Sequence, residues 1–151
     1  MNKIILYFVF FWSLQTLSAQ DLKWQTDINK AIELSTKSKK PLMLFFTGSD
    51  WCGWCIKLQK EVFQKPEFVE WSKNVILVEL DYPRKTQLEA SLKQQNDQLQ
   101  QIFQVQGFPT IWFVNPQKNG TQINLQQLGK TGYVAGGPEK WLEVVNQFMP
   151  K

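Results

Sequence analysis

The chain has no histidine, two cysteines and one arginine, Arg84, in 151 residues. The missing imidazole removes Ser-His and Cys-His catalysis together with most zinc and copper sites. Two thiols are too few for a four-ligand zinc site, because only carboxylates remain to complete it, so no metal is expected. No dense basic tract exists either. The 17 Lys and Arg residues are spread among 13 acids, and the tightest groups are Lys37-Ser38-Lys39-Lys40 and Arg84-Lys85. A net charge of +4 distributed in this way reads as a solvated surface, and no nucleic-acid partner is expected.

Long apolar runs are lacking as well. The longest, Ile4 to Trp12, is too short to cross about 30 Å of hydrocarbon, so no stable membrane insertion is expected. Lys3 precedes this run, and a small polar stretch from Ser13 to Gln20 follows it. This is the pattern of a secretory signal peptide, here residues 1–19, leaving 20–151 as one domain. The expected location is exported, periplasmic or extracellular, where disulfide chemistry is available. Hydrophobic residues make up 43% of the chain, with seven Trp and eleven Phe, so the domain can bury a core without disulfide support.

Periodicity orders the elements. Trp24, Ile28, Ala31 and Ile32 recur at helical spacing and predict an N-terminal helix over 24–38. Leu42 to Phe46 and Val75 to Leu80 are continuous apolar runs of strand length. A short helix is expected from Pro66 to Trp71, and the Gln-rich segment 86–106 predicts two helical pieces, the second capped by Asn96. Ile111 to Val114 and Gln122 to Leu128 read as strands joined by a turn at 115–120, and Gly136-Gly137-Pro138 opens a last helix. Helices between strands imply an α/β protein with a largely parallel sheet, plus an antiparallel hairpin at one side. Trp24, Trp71, Trp112 and Trp141 fall on apolar stripes and read as packing residues.

Both cysteines lie in Thr47-Gly48-Ser49-Asp50-Trp51-Cys52-Gly53-Trp54-Cys55, directly after an apolar strand. With Cys52 at a helix start, Cys55 lies about one turn on, within reach of a disulfide. Unpaired N–H groups at a helix start favour a thiolate. Lowering a thiol pKa from about 8.5 to about 7 raises the thiolate share at neutral pH from a few per cent to about half. Cys52 is therefore read as nucleophile and Cys55 as the resolving thiol. A passive bridge across so short a loop removes little chain entropy and is the weaker reading.

Trp51-Cys52-Gly53-Trp54-Cys55 after one strand, with Gly107-Phe108-Pro109-Thr110 before another, resembles the thioredoxin superfamily, and in particular the exported bacterial thiol–disulfide oxidoreductases. The resemblance spans about residues 24–149. It implies a thioredoxin-like fold: a central mixed sheet of about four strands flanked by helices, with an extra N-terminal helix here. It implies that Pro109 is a cis-proline, and that Phe108 and Pro109 pair with an extended substrate segment. It also implies no cofactor, protein thiols and disulfides as substrates, and a redox partner that resets the site. A monomer is expected, and reduction is the favoured direction. Two departures limit the transfer. Trp54 stands where the commonest reductases carry proline, so redox poise does not carry over. The buried Asp usual six residues before the first cysteine is replaced by Phe46.

Glu79, in the apolar strand expected beside that of Phe46, is the substitute acid for proton exchange with Cys55. Asp50 is read as a loop acid or a helix cap. Trp51, Trp54 and Phe108 are read as an apolar docking surface for extended protein chains. Two rivals stand beside this reading: a non-catalytic chaperone or adaptor whose disulfide stays closed, and a peroxide-consuming thiol enzyme. The second wants an arginine and a threonine around the cysteine, which one arginine serves poorly.

Overall fold

In the computed structural model, which describes residues 22–120 and 122–150, the first helix starts at an aspartate. Asp27 caps α1 (Ile28–Ser38), its carboxylate accepting the backbone N–H groups of Asn29 and Lys30 at 2.8 and 3.3 Å. The expected start at residue 24 is therefore too early. Trp24 continues the helical spacing in sequence, but Gln25 is extended and lies along the edge of the second strand: Gln25 N–H donates to Leu77 and Glu79 N–H donates to Gln25. The Trp24 ring packs on Phe45 and Phe63, with centroids 5.7 and 5.6 Å away. The expected signal peptide, residues 1–19, lies outside the described residues.

Strand β1 (Leu42–Thr47) is buried at every position. It is flanked on both sides, as an unbroken apolar run requires, and also covered on both faces. Then come α2 (Gly53–Leu58), which runs on through a wider turn at Gln59–Phe63, α3 (Pro66–Trp71) and β2 (Ile76–Asp81). Helix α4 (Ala90–Ile102) leads to the hairpin β3 (Thr110–Asn119) and β4 (Gln122–Thr131), and α5 (Gly137–Val145) closes the fold. The strand order is β2-β1-β3-β4.

Only β1 and β2 run parallel. Strand β3 is antiparallel to β1, with Thr110 opposite Phe46, so it starts at the end where β1 finishes. The sheet is mixed, as the resemblance implies, but β3 does not run parallel to β1 as the helix–strand order suggested. The chain leaves β2 at the same end as β1 and returns there after α4 to begin β3. That return places Phe108-Pro109 beside the carboxyl end of β1, where the cysteines emerge.

Two further expectations are corrected. Residues 90–102 form one helix, and Asn96 lies inside it, 2% exposed, with its side chain donating to the Asp81 carbonyl at 3.0 Å. Its capping chemistry is spent on the end of β2 rather than on a helix start. The predicted turn at 115–120 is mostly strand. Residues Asn115 to Asn119 pair with Gln122 to Gln126, beyond the last β1 partner at Val114, so the missing N–H of Pro116 falls where no β1 residue would receive it.

The sheet divides the core by residue parity. Met43, Phe45, Leu77 and Phe113 face Cys52, Cys55, Phe63, Phe68 and Trp141. Leu42, Leu44, Phe46, Val78 and Leu80 face Ile28, Ile32 and Leu99 from α1 and α4. Trp141 and Phe63 are buried in a ring-on-edge pair at 5.5 Å. Trp24, Trp71 and Trp112 pack against the two halves of this core as partly buried rings.

Candidate active site

Cys52 occupies the N-cap of α2 in extended backbone (φ −84°, ψ 100°), and its sulfur accepts the Cys55 N–H at 3.2 Å. Sulfur takes the role that a Ser or Asp oxygen plays at ordinary caps. The two cysteines are joined by a disulfide. Cys52 retains 6% exposure and Cys55 none, so of the pair only Cys52 presents any surface to an approaching molecule.

The loop carrying the pair is stapled to the next strand by two acids. The Asp81 carboxylate accepts Ser49 N–H at 2.8 Å and Ser49 O–H at 2.6 Å. The Asp50 carboxylate accepts the backbone N–H groups of Arg84 and Lys85 at 3.0 and 2.7 Å, and these bonds, that to Arg84 foremost, hold its pKa below the ordinary carboxylate value. Asp50 therefore ties loop to loop and does not cap α2. Gly48 is required beneath Trp51, since a Cβ there would stand 2.4 Å from the indole ring.

Two aromatic walls flank the sulfurs. On one side Trp51 donates its indole N–H to the Tyr82 carbonyl at 2.7 Å and meets Phe108 edge-on at 5.8 Å, while the Arg84 guanidinium lies 3.7 Å above its ring. On the other side Trp54, 57% exposed, leans on Tyr133 at 5.1 Å. The Lys57 ammonium sits 5.1 Å from both of those rings, and Glu61 accepts the Tyr133 hydroxyl at 2.5 Å. That bond is the main reason the Tyr133 phenol titrates above its usual value. Trp51 and Phe108 thus touch as one surface, whereas Trp54 stands apart from them against a residue that sequence reasoning had not singled out.

The Phe108–Pro109 peptide bond is cis. Gly132 lies against it: a Cβ at Gly132 would come within 3.2 Å of the Pro109 carbonyl oxygen. The Gly132 carbonyl is in turn held by the buried Trp141 indole N–H at 3.1 Å. Gly132 and Tyr133 follow a strand with no local motif to mark them, so no signal in the sequence points to their places against Pro109 and Trp54.

Glu79 pairs in register with Phe45, and strand parity puts it with Val75 and Leu77 on the side of the sheet that carries both cysteines. It is half-buried, and desolvation, helped by the negative charge of Asp81, raises its pKa above 4.5. Phe46, by contrast, points to the opposite face.

A thioredoxin-like family profile matches residues 23–116. Disulfide bond reductase DsbH of Chlamydia pneumoniae is 34% identical over 134 residues, which cover 88% of this chain and 76% of that protein. Thioredoxin-related protein DsbJ of the same organism is 32% identical over 106 residues, covering 66% of this chain and 30% of DsbJ. Among solved structures, a DsbH oxidoreductase aligns with a TM-score of 0.77 at 31% identity, over 91% of this chain and 92% of the other.

Proposed function

The chain belongs to the thioredoxin-like family, and from that premise we propose that it reduces disulfides in exported proteins, with Cys52 as nucleophile and Cys55 as resolving thiol. One observation carries the assignment of roles. The sulfur that caps α2 and accepts a backbone N–H is also the one with exposed surface, while its partner is fully buried one turn on. In the reduced protein the Cys55 N–H stabilises negative charge on Cys52, the form that attacks.

The Cys52 thiolate attacks one sulfur of a substrate disulfide, forming a mixed disulfide and expelling the first substrate thiolate. Cys55 then loses its proton and attacks the Cys52 sulfur, which expels the second substrate thiol and closes the Cys52–Cys55 bond. Two electrons pass to the substrate, and two protons complete its thiols. Glu79 is the group suited to accept the Cys55 proton, being desolvated and on the correct face. The backbone of Phe108 and Pro109 provides an edge for an extended substrate segment. No cofactor enters, since the cysteines hold the electrons, and a dithiol donor from outside resets the pair. The reductive direction is supported by the name of the DsbH relative, and export by the pattern of residues 1–19.

Insulin reduction in the presence of dithiothreitol tests this. The wild-type protein is expected to accelerate precipitation, Cys52→Ser to abolish the effect, and reduced Cys55→Ser, mixed with insulin after dithiothreitol is removed, to accumulate a mixed disulfide visible as a mass adduct. A wild-type rate no greater than that of dithiothreitol alone would mean a binding module whose disulfide stays closed.

A further inference from the structure

The two aromatic walls differ in how their cations are paired. On the Trp54 wall the Lys57 cation has Glu61 beside it, 3.9 Å away, and the pair is close to neutral. On the Trp51 wall no acid among the described residues pairs with the cation, although Asp50 and Asp81 keep their negative charge nearby through bonds to neutral groups. Asp50 is occupied by backbone N–H groups, Asp81 by Ser49, and Asp97 by Lys93 at 2.6 Å. Arg84, the chain's single arginine, forms no ion pair among the described residues and is exposed. Its guanidinium is nevertheless held in place, stacked 3.7 Å from the Trp51 ring centroid, next to the nucleophile in sequence. Stacking occupies one face of a guanidinium and leaves its N–H edges available for a carboxylate, with little side-chain freedom left to lose. A cleft of about 510 Å³ opens beside it, lined by Tyr82, Arg84, Leu88 and Lys93 together with Asp81 and Asp97, whose carboxylates are bonded to Ser49 and Lys93, so a substrate side chain has room to enter.

Resting on the exchange reaction above, we infer that Arg84 is a specificity determinant: its guanidinium receives a carboxylate of the substrate segment, so that cysteines flanked by Glu or Asp are reduced in preference to those flanked by neutral or basic residues. The Trp51 ring sets the position of the cation, and the two stapled acids keep the loop in place while bonded to N–H and O–H groups rather than to the guanidinium.

The test uses disulfide-linked dimers of two capped peptides, Ala-Glu-Cys-Glu-Ala and Ala-Gln-Cys-Gln-Ala, as substrates of the reduced protein. The ratio of kcat/KM, acidic over neutral, is expected to be about two- to fivefold at low salt, the upper range of one exposed ion pair, and to fall towards unity in about 0.5 M salt. Arg84→Gln should collapse that ratio, and Arg84→Lys should restore part of it. Equal turnover of the two peptides by the wild-type protein overturns the inference alone. So does an Arg84→Gln protein that slows both peptides equally, which is the mark of a merely structural role. Failure to reduce either peptide overturns the exchange reaction itself, and this proposal with it.

Discussion

Reducing the Cys52–Cys55 bond should leave the protein folded and only modestly less stable. The bridge spans a sequence separation of 3, and closing a loop of about four residues removes about 1.9 kcal/mol of unfolded-chain entropy at 25 °C. Nothing large is added on the native side. Both sulfurs already lie in an apolar cluster with Met43, Phe45, Leu58 and Phe63, and a free thiol behaves there as a small hydrophobe. The folded domain of roughly 130 residues has an unfolding entropy of about 270 cal/mol/K, so the loss corresponds to a fall of about 7 °C in Tm. Thermal unfolding followed by circular dichroism, with and without a strong reductant, measures the difference directly. A fall beyond about 15 °C, equivalent to about 4 kcal/mol, or loss of the cooperative transition, would refute the reasoning. The bridge would then be a staple that holds the domain together, and the case for a reactive couple would lose its energetic footing.

Trp141→Ala should cost about 3–5 kcal/mol in denaturant unfolding, because the ring is fully buried among Phe63, Phe68 and Phe113 and its N–H is the anchor of Gly132. Glu79→Gln should act in opposite senses on stability and on rate. The folded carboxyl has a raised pKa, so the native state binds its proton more tightly than the unfolded chain does, and wild-type stability falls as pH rises from about 4.5 through the folded value. The Gln protein lacks this loss and should be the more stable of the two at pH 7, the gap closing below pH 4.5, while its mixed disulfide resolves more slowly at neutral pH. Equal stability at pH 7 and equal resolution rates would return Glu79 to an ordinary surface role.

How much of this was legible depended on whether the deciding interaction was local. The strand at Leu42 to Phe46, the helix opened by Pro66 and the cysteine pair were readable because each announces itself within a few residues. The start of α1 was not, since Trp24 keeps helical spacing with Ile28 while its ring is claimed by Phe45 and Phe63 across the sheet. Asn96 was misplaced for the same reason: an asparagine with a backbone carbonyl to bond from within a helix looks in sequence like an asparagine that caps one. The direction of β3 followed from where the chain returns after α4, which no spacing encodes. Arg84 and Tyr133 matter through rings 33 and 79 positions away from them along the chain, Trp51 and Trp54.

The acid missing from position 46 looks different once the strand is seen in place. Counting six residues back from Cys52 lands on Phe46, whose side chain points away from the cysteines and into the layer of α1 and α4. A carboxylate there would start from the opposite side of the sheet to the cluster that holds Cys55. The β1 residues that share a cluster with the cysteines are Met43 and Phe45, and the register partner of Phe45 on the parallel neighbour is Glu79. Adjacent strands are about 4.8 Å apart, so an acid moved sideways by one strand stays on the same face and near the same depth. The ring of Phe45 meanwhile fills the space between Trp24 and Phe63, a role that no carboxylate at that position would serve. The fold therefore puts packing beneath the cysteine helix on β1, and a half-buried ionisable side chain at the register position beside it on β2.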